Sequence, residues 1–449
     1  MPDIPSTNTT INALTKQDAN TPKLLKGGRV VNPQFNYDGR LDLLINNGQI
    51  EKIAENILQE DLPFNTAVIN LSENTWVTPG LVDVHVHFRD PGNPEKETTA
   101  TGAESALAGG FTTVCVMPNT QPVLDSVDWV KYVLEQAEKT GIQIFPVAAV
   151  TKGLAGKAIT EMALLSQAGA VAFSDDGRPV YDANIMRRAL EYSNVYKTPI
   201  VCHAEDFALF GDGVMHEGLH ATKLGLPGIP PIAESVLVAR DIEIIRYTGG
   251  WVHFAHISSK ESVALIRWAK SQGLPVSAET TPHYLALTDA CCSDYNADTR
   301  MNGPIREEAD QDALWGGLID GTIDIIATDH APHTPGEKAL PFDCSPNGVI
   351  GLETSLAVML THGFHTQKLS ALQCIEKLAS KPAQLFNLNQ SGSLEVGKRA
   401  DITLIDPNQQ WEVDVTQIKS RSKNTPFIGH RFTGKAIAAI AAGKVYCFN

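Results

Sequence analysis

The chain has no Cys-x-x-Cys pair. Its seven cysteines are scattered, and only Cys291 and Cys292 are adjacent, which excludes a cysteine-built zinc site and suits a reducing compartment. A long apolar run is missing too: nothing approaches the ~20 residues of a membrane span. The first 22 residues are polar and rich in Thr and Asn. Without the basic start or apolar core of a signal peptide, they read as a disordered tail, so the expected location is cytoplasmic. There is no G-x-G-x-x-G or Walker-type phosphate loop. Positive charge is in deficit, the net charge being −15 over 449 residues. That argues against a nucleic-acid backbone as partner, and an anionic substrate would need local Arg or His to hold it.

What is present is a soluble globular composition, 43% hydrophobic and 19% charged, with enough apolar residues for a sizeable core. From Leu24 to about Trp76, and again from Ala400 to the end, short strands and turns alternate. These stretches predict one small β-sandwich domain built from both terminal segments, residues 23–78 with 392–449. Between them, residues 79–391 alternate strand with helix. The apolar strand candidates are Val82–Phe88, Thr112–Met117, Gln143–Val150, Ala170–Ser174, Pro199–His203, Trp251–Ile257, Pro275–Thr281 and Ile323–Asp329. Eight such βα units predict a closed (β/α)8 TIM barrel, an α/β fold, in preference to an open doubly wound sheet.

In such a barrel the chemistry sits where strands end. At residues 82–89, apolar Val82, Val84, Val86 and Phe88 alternate with Asp83, His85, His87 and Arg89, the period of a strand. His85 and His87 therefore share a side, as a pair of divalent-metal ligands with an arginine beside them suited to a carboxylate. A His-x-His alone is usually a pair of surface imidazoles. The other strand ends supply the rest: Asp175-Asp176, His203, His253 and His256, His283, and Asp329-His330 with His333. His85, His87, His203, His256, Asp176 and Asp329 offer N and O ligands for one or two Zn²⁺-like ions. A site without thiolates and open to water is of the catalytic kind. Two metals sharing a bridging ligand would hold a hydroxide at neutral pH for attack on an amide, with Asp329 as proton carrier. Adjacent Asp175 and Asp176 face opposite ways, so only one can bridge.

The motifs Pro79-Gly80-Leu81-Val82-Asp83-Val84-His85-Val86-His87-Phe88-Arg89, Met117-Pro118-Asn119-Thr120, Phe173-Ser174-Asp175-Asp176-Gly177, His253 to Ser258, Thr280-Thr281-Pro282-His283-Tyr284-Leu285, Met301-Asn302, Ala327 to His333 and the closing Ser422-Lys423-Asn424-Thr425-Pro426-Phe427 resemble the amidohydrolase superfamily. Within it the chain is most similar to the bacterial class I dihydroorotases, from about residue 24 to the end. The resemblance implies reversible cyclisation of N-carbamoyl-L-aspartate to L-dihydroorotate in pyrimidine synthesis. By position it implies His85 and His87 on a more buried metal and His203 and His256 on a more exposed one. Asp176 would bridge, and Asp329 would be both ligand and general base. Arg89, Asn119 and His333 would grip the substrate carboxylate, and Asn302 with the Asn347-Gly348 backbone would meet the ring amide. Gly303 stands where relatives are expected to carry Pro, which predicts a looser loop around Asn302. A homodimer and a complex with aspartate transcarbamoylase are the partners that the resemblance leaves open.

Rival readings are a dihydropyrimidinase or allantoinase, or a non-catalytic scaffold for aspartate transcarbamoylase. The first two families bridge their metals with a carboxylated lysine ending the fourth strand. No lysine lies between Lys157 and Lys197 here, and Asp175-Asp176 stands at that strand end. A scaffold is expected to have lost metal ligands, whereas all six candidates are present.

Overall fold

The computed structural model describes residues 18–448. Of the expected tail, residues 1–17 lie outside the described residues. Residues 18–21 form a turn whose Asp18 and Thr21 carbonyls accept from the buried Lys23 ammonium at 2.9 and 2.8 Å.

The chain builds the barrel from β1 Leu81–Val86, β2 Phe111–Val116, β3 Gln143–Ala149, β4 Ala172–Ser174, β5 Ile200–Cys202, β6 Val252–Phe254, β7 Val276–Thr280 and β8 Ile325–Ile326. Each pairs in parallel with the next. A parallel bridge from Val86 to His330 brings the last strand's end against the first, with the His87 N–H donating to the His330 carbonyl at 2.9 Å. Helices α1 Thr99–Ala108, α2 Val127–Ala137, α3 Met162–Ala168, α4 Ala183–Tyr196, α5 Ile232–Thr248, α6 Lys260–Ser271 and α7 Glu308–Asp320 follow β1 to β7 in turn.

Local sequence explains these helices. Asp182 caps α4 by accepting from the Asn184 and Ile185 N–H groups, and Met186, Ala189, Leu190 and Ser193 recur at helical spacing on its buried face. Beneath the strand ends the barrel is filled, as a closed eight-stranded barrel must be. Val82, Val84, Cys115, Met117, Val147, Ala172, Val201, Ala255, Ile325 and Ala327 form one buried cluster with Phe386 and Leu388. Phe386 meets the His253 ring edge-on at 5.4 Å, so the site's floor rests on this plug.

Two further sheets follow, a four-stranded one from the N-terminal segment and a six-stranded one that joins strands of both terminal segments. In the six-stranded sheet, Ile402–Glu412 lies between Trp76–Pro79 and Arg431–Ala441. In the four-stranded sheet, Lys23–Lys26 lies between Asp42–Asn46 and Ala67–Asn70. Leu25, Val30, Leu43, Ile45, Val77, Ile402, Leu404 and Ile440 pack between the two sheets as a separate core, giving a sandwich. The six-stranded sheet also touches the barrel directly. Gly110, with φ +88°, passes so close to Thr403 and Ala436 that a Cβ there would lie 2.7 Å from the Thr403 methyl, and the Thr403 hydroxyl donates to the Gly110 carbonyl at 2.6 Å.

Candidate active site

The regular strand β1 stops at Val86, and His87 to Arg89 continue onto the barrel mouth. His85 donates its Nδ1–H to Glu279 Oε1 at 2.6 Å, and His87 donates Nδ1–H to Asn119 Oδ1 at 2.8 Å. With Nδ1 so engaged, both rings present Nε2 to the same place. Asp176 Oδ2 lies 3.5 and 3.4 Å from those two nitrogens, and Asp329 Oδ1 lies 3.6 and 2.9 Å from them.

The other carboxylate oxygen of Asp176 faces a second pair. Its Oδ1 is 3.4 Å from His203 Nδ1 and 3.5 Å from His256 Nε2, and those two nitrogens are 2.8 Å apart. His85, His87 and Asp176 form one group able to hold a metal, and Asp176, His203 and His256 form another, with the ligand atoms of each within 4.8 Å of one another. The structure thus brings all six predicted ligands together. Asp175 turns the other way, its carboxylate accepting from the Thr151 N–H and hydroxyl.

The donor set fits divalent metal ions. Among the described residues, His85 Nε2 and Asp176 Oδ1 are buried without a hydrogen-bond partner, an expensive arrangement unless a cation completes it. The electrostatics agree. Burial alone would raise the Asp176 carboxyl, but the surrounding imidazoles hold it well below the usual carboxylate range. Burial opposes charging His203, yet Asp176 and Glu205 push it up to about 10. Protons are thus drawn to where a metal would otherwise balance the carboxylates. Three residues at this centre are non-glycines with positive φ, Arg89 at 58°, His256 at 34° and Asp329 at 47°. Each stores of order 1–3 kcal/mol of backbone strain, a cost met at sites whose geometry the surroundings dictate.

Around the ligands lie the residues expected to meet substrate. Arg89 is half-buried; its Nε donates to the Pro332 carbonyl at 3.3 Å, which orients the guanidinium. Asn119 holds His87, a task the sequence did not disclose, while its amide nitrogen stays available. His333 donates Nε2–H to the Asn347 carbonyl at 2.8 Å, leaving Nδ1 buried and unpartnered among the described residues. Burial, with the Arg89 charge, pushes that imidazole down to about 3. The Gly348 N–H is spent on the Arg300 carbonyl at 3.0 Å, so the N–H this pair can still offer is that of Asn347. Asn302 places Nδ2 3.3 Å from Glu205 Oε2 and 3.4 Å from His203 Nε2. Its loop is held at one point by the Tyr284 hydroxyl, which donates to the Gly303 carbonyl at 2.5 Å.

Sequence reasoning missed several supporting groups. Glu279 is fully buried between His85 and His253, accepting from His253 Nε2 at 3.0 Å. Asp83 accepts from the His85 N–H at 3.0 Å and the Thr328 N–H at 3.2 Å, fixing β1 against β8. Both are carboxylates inside apolar buried strands, and that oddity was the available signal. Asn424, from the segment between the last two long strands of the six-stranded sheet, accepts from the His333 N–H at 3.0 Å and donates to the Ala331 and Gly348 carbonyls at 3.0 and 3.1 Å. Only tertiary structure reveals that role.

Comparison with known proteins gives a consistent picture. Residues 76–446 match the amidohydrolase family. Among curated relatives, dihydroorotase from Geotalea daltonii is 46% identical over 94% of this chain and 98% of its own length. Dihydroorotase from Acetivibrio thermocellus is 44% identical over 94% and 98%. Among solved structures, L-hydantoinase (dihydropyrimidinase) from Arthrobacter aurescens superposes with a TM-score of 0.84 at 25% identity, covering 95% of this chain and 96% of that one. Dihydropyrimidinase from Brevibacillus agri has the same fold, with a TM-score of 0.84 at 23% identity over 96% and 95%.

Proposed function

The chain belongs to the amidohydrolase family and, within it, to the dihydroorotases, and on that premise we propose that it interconverts N-carbamoyl-L-aspartate and L-dihydroorotate at two zinc ions. The observation that carries this reading is the carboxylate of Asp176, one oxygen toward His85 and His87 and the other toward His203 and His256, with Arg89 alongside. His85, His87, Asp176, His203, His256 and Asp329 would hold the zinc ions, which when bound would supply a water acidified to near neutrality and a Lewis acid for the ring carbonyl.

The protein's own groups do the rest. The Arg89 guanidinium, fixed through Nε, pairs with the substrate carboxylate, and the Asn119 amide and His333 ring flank it. Asn302 Nδ2 and the Asn347 N–H address the ring amide. Asp329 is held ionised: burial alone would raise its carboxyl, but His87 and the neighbouring imidazoles keep it low. Its carboxylate accepts the proton of the attacking water and returns it to the departing ring nitrogen.

A hydantoinase or dihydropyrimidinase is the second reading, because structural neighbours carry those names. The aspartate where those families use a lysine, together with an arginine suited to a free carboxylate, favours dihydroorotate. A scaffold role is disfavoured by the complete ligand set. Partnership with aspartate transcarbamoylase, a homodimer and a cytoplasmic location fit the same reading, the last also suiting seven cysteines none of which is paired. One assay tests the proposal: turnover of dihydroorotate, hydantoin, dihydrouracil and allantoin by one preparation, with its metal content measured. Zinc-loaded protein that prefers hydantoin or dihydrouracil would overturn it. Metal-free protein that stays inert after zinc addition would favour the scaffold.

A further inference from the structure

Three histidines lie near the metal ligands without belonging to them, and their hydrogen bonds separate their roles. His253 is anchored at both nitrogens, to Ser277 Oγ at 2.8 Å and Glu279 Oε2 at 3.0 Å. His330 accepts from the Gly351 N–H at 3.3 Å and faces Glu97 Oε2 at 3.4 Å. His283 differs. It is 2% exposed, and both Nδ1 and Nε2 are buried with no hydrogen-bond partner among the described residues.

Its position gives that orphaned ring a purpose. His283 follows β7 on the segment Pro282–Ala286, and the ionisable groups acting on it are Asp329 and His256, both in the metal centre. Its ring stands edge-on to Tyr284, with centroids 4.4 Å apart, and the Tyr284 hydroxyl ties the same segment to the loop of Asn302. His283 and Asn302 are thereby fixed relative to one another. Burial holds the imidazole neutral, pushing it down to about 3. A neutral imidazole has one N–H and one lone pair, and burying both unpaired is costly unless a ligand completes them. His283 belongs to neither of the two groups able to hold a metal. A cyclic ureide would complete it, since its ring presents carbonyl oxygens and N–H groups in alternation, complementary to an imidazole.

We propose that His283 is a substrate-contacting residue, its ring N–H donating to a carbonyl oxygen of the dihydroorotate ring beside Asn302. The inference rests on the dihydroorotase reading and adds a specificity contact to it. It is tested with His283→Phe, which keeps the ring and its contact with Tyr284 but has no N–H, and His283→Asn, which restores a donor near the position of Nδ1. Both variants and the wild type are assayed for metal content and for kcat and KM on L-dihydroorotate. The expected result is unchanged metal content in both, a loss of about tenfold or more in kcat/KM for the Phe variant, and partial recovery in the Asn variant. A Phe variant within twofold of wild type would show that the ring only packs. Loss of metal from both variants would assign His283 to the metal centre instead and overturn the contact. Wild-type protein inert toward dihydroorotate would sink the enzyme reading and the contact together, whereas active wild type beside an equally active Phe variant sinks the contact alone.

Discussion

Replacing Glu279 with glutamine removes a negative charge from the floor of the site while keeping the side chain's shape. Glu279 accepts from His85 Nδ1 at 2.6 Å and from His253 Nε2 at 3.0 Å. Burial alone would raise its carboxyl, but the two imidazoles hold it at about 2. Glutamine offers one acceptor where the carboxylate offers two. Its amide nitrogen can face His253, because that ring can switch tautomer and donate Nδ1–H to Ser277 Oγ, 2.8 Å away. The buried pairing therefore survives. The loss falls on His85, whose Nε2 becomes a weaker ligand once its partner is neutral. Losing such a partner costs about 10- to 100-fold in metal affinity, which corresponds to about 1.4–2.8 kcal/mol. Glu279→Ala, in contrast, strands two buried imidazoles and costs the fold about 3–5 kcal/mol. The assay is zinc competition against a chelator, with thermal melts of the metal-free proteins alongside. The Gln variant should melt near wild type and lose zinc from one position at lower chelator concentration. Undiminished zinc affinity, or a metal-free melt as poor as that of the Ala variant, would refute the argument.

Asp329→Asn should keep much of its metal but lose about 10²- to 10⁴-fold in kcat, as the proton carrier goes; near-normal turnover would mean that the assigned base is wrong. Arg89→Met should lower kcat/KM for dihydroorotate by two orders of magnitude or so with the circular dichroism unchanged, since a buried carboxylate partner is removed. Unaltered kinetics would remove the carboxylate clamp. Zinc affinity of the metal-free protein should climb with pH. His203, pushed up to about 10, and His85, raised well above its ordinary value against the opposing effect of burial, must both shed protons before binding metal. Each released proton adds about one unit to the slope of log affinity against pH. A flat dependence between about pH 6 and 8 would show that the rings are neutral beforehand.

Strand periodicity disclosed the barrel because each β strand is a short apolar run ending in polar residues, and the helices between them carry caps and apolar stripes of their own. The expectation for β1 ran to Phe88, whereas the strand stops at Val86, which pairs with Val116 of β2 on one edge and bridges to His330 on the other. No local pattern encodes that stop, since Phe88 continues the alternation. The two terminal β segments were also visible, as matching textures at either end. Their pairing was not, because Trp76–Pro79 meets Ile402–Glu412 across more than three hundred residues of intervening chain.

The candidate metal ligands were legible for a simple reason: they sit at the ends of five strands, His85 and His87 together at the end of β1, and barrel closure alone makes strand ends converge. The groups that aim those ligands come from other strands, so no spacing in the sequence ties Glu279 to His85 or Asn119 to His87. The C-terminal segment adds further support to this end of the barrel from far along the chain. Ser420 Oγ and the Arg421 N–H donate to buried Glu97, which faces His330, while Asn424 grips the backbone of Ala331, His333 and Gly348. The loop after β8 holds Asp329 at positive φ and carries His333, and these bonds are what over-determine its strained course. Barrel closure brings the candidate metal ligands together, but the loop that carries His333, proposed to grip substrate, depends on chain that returns from the sandwich.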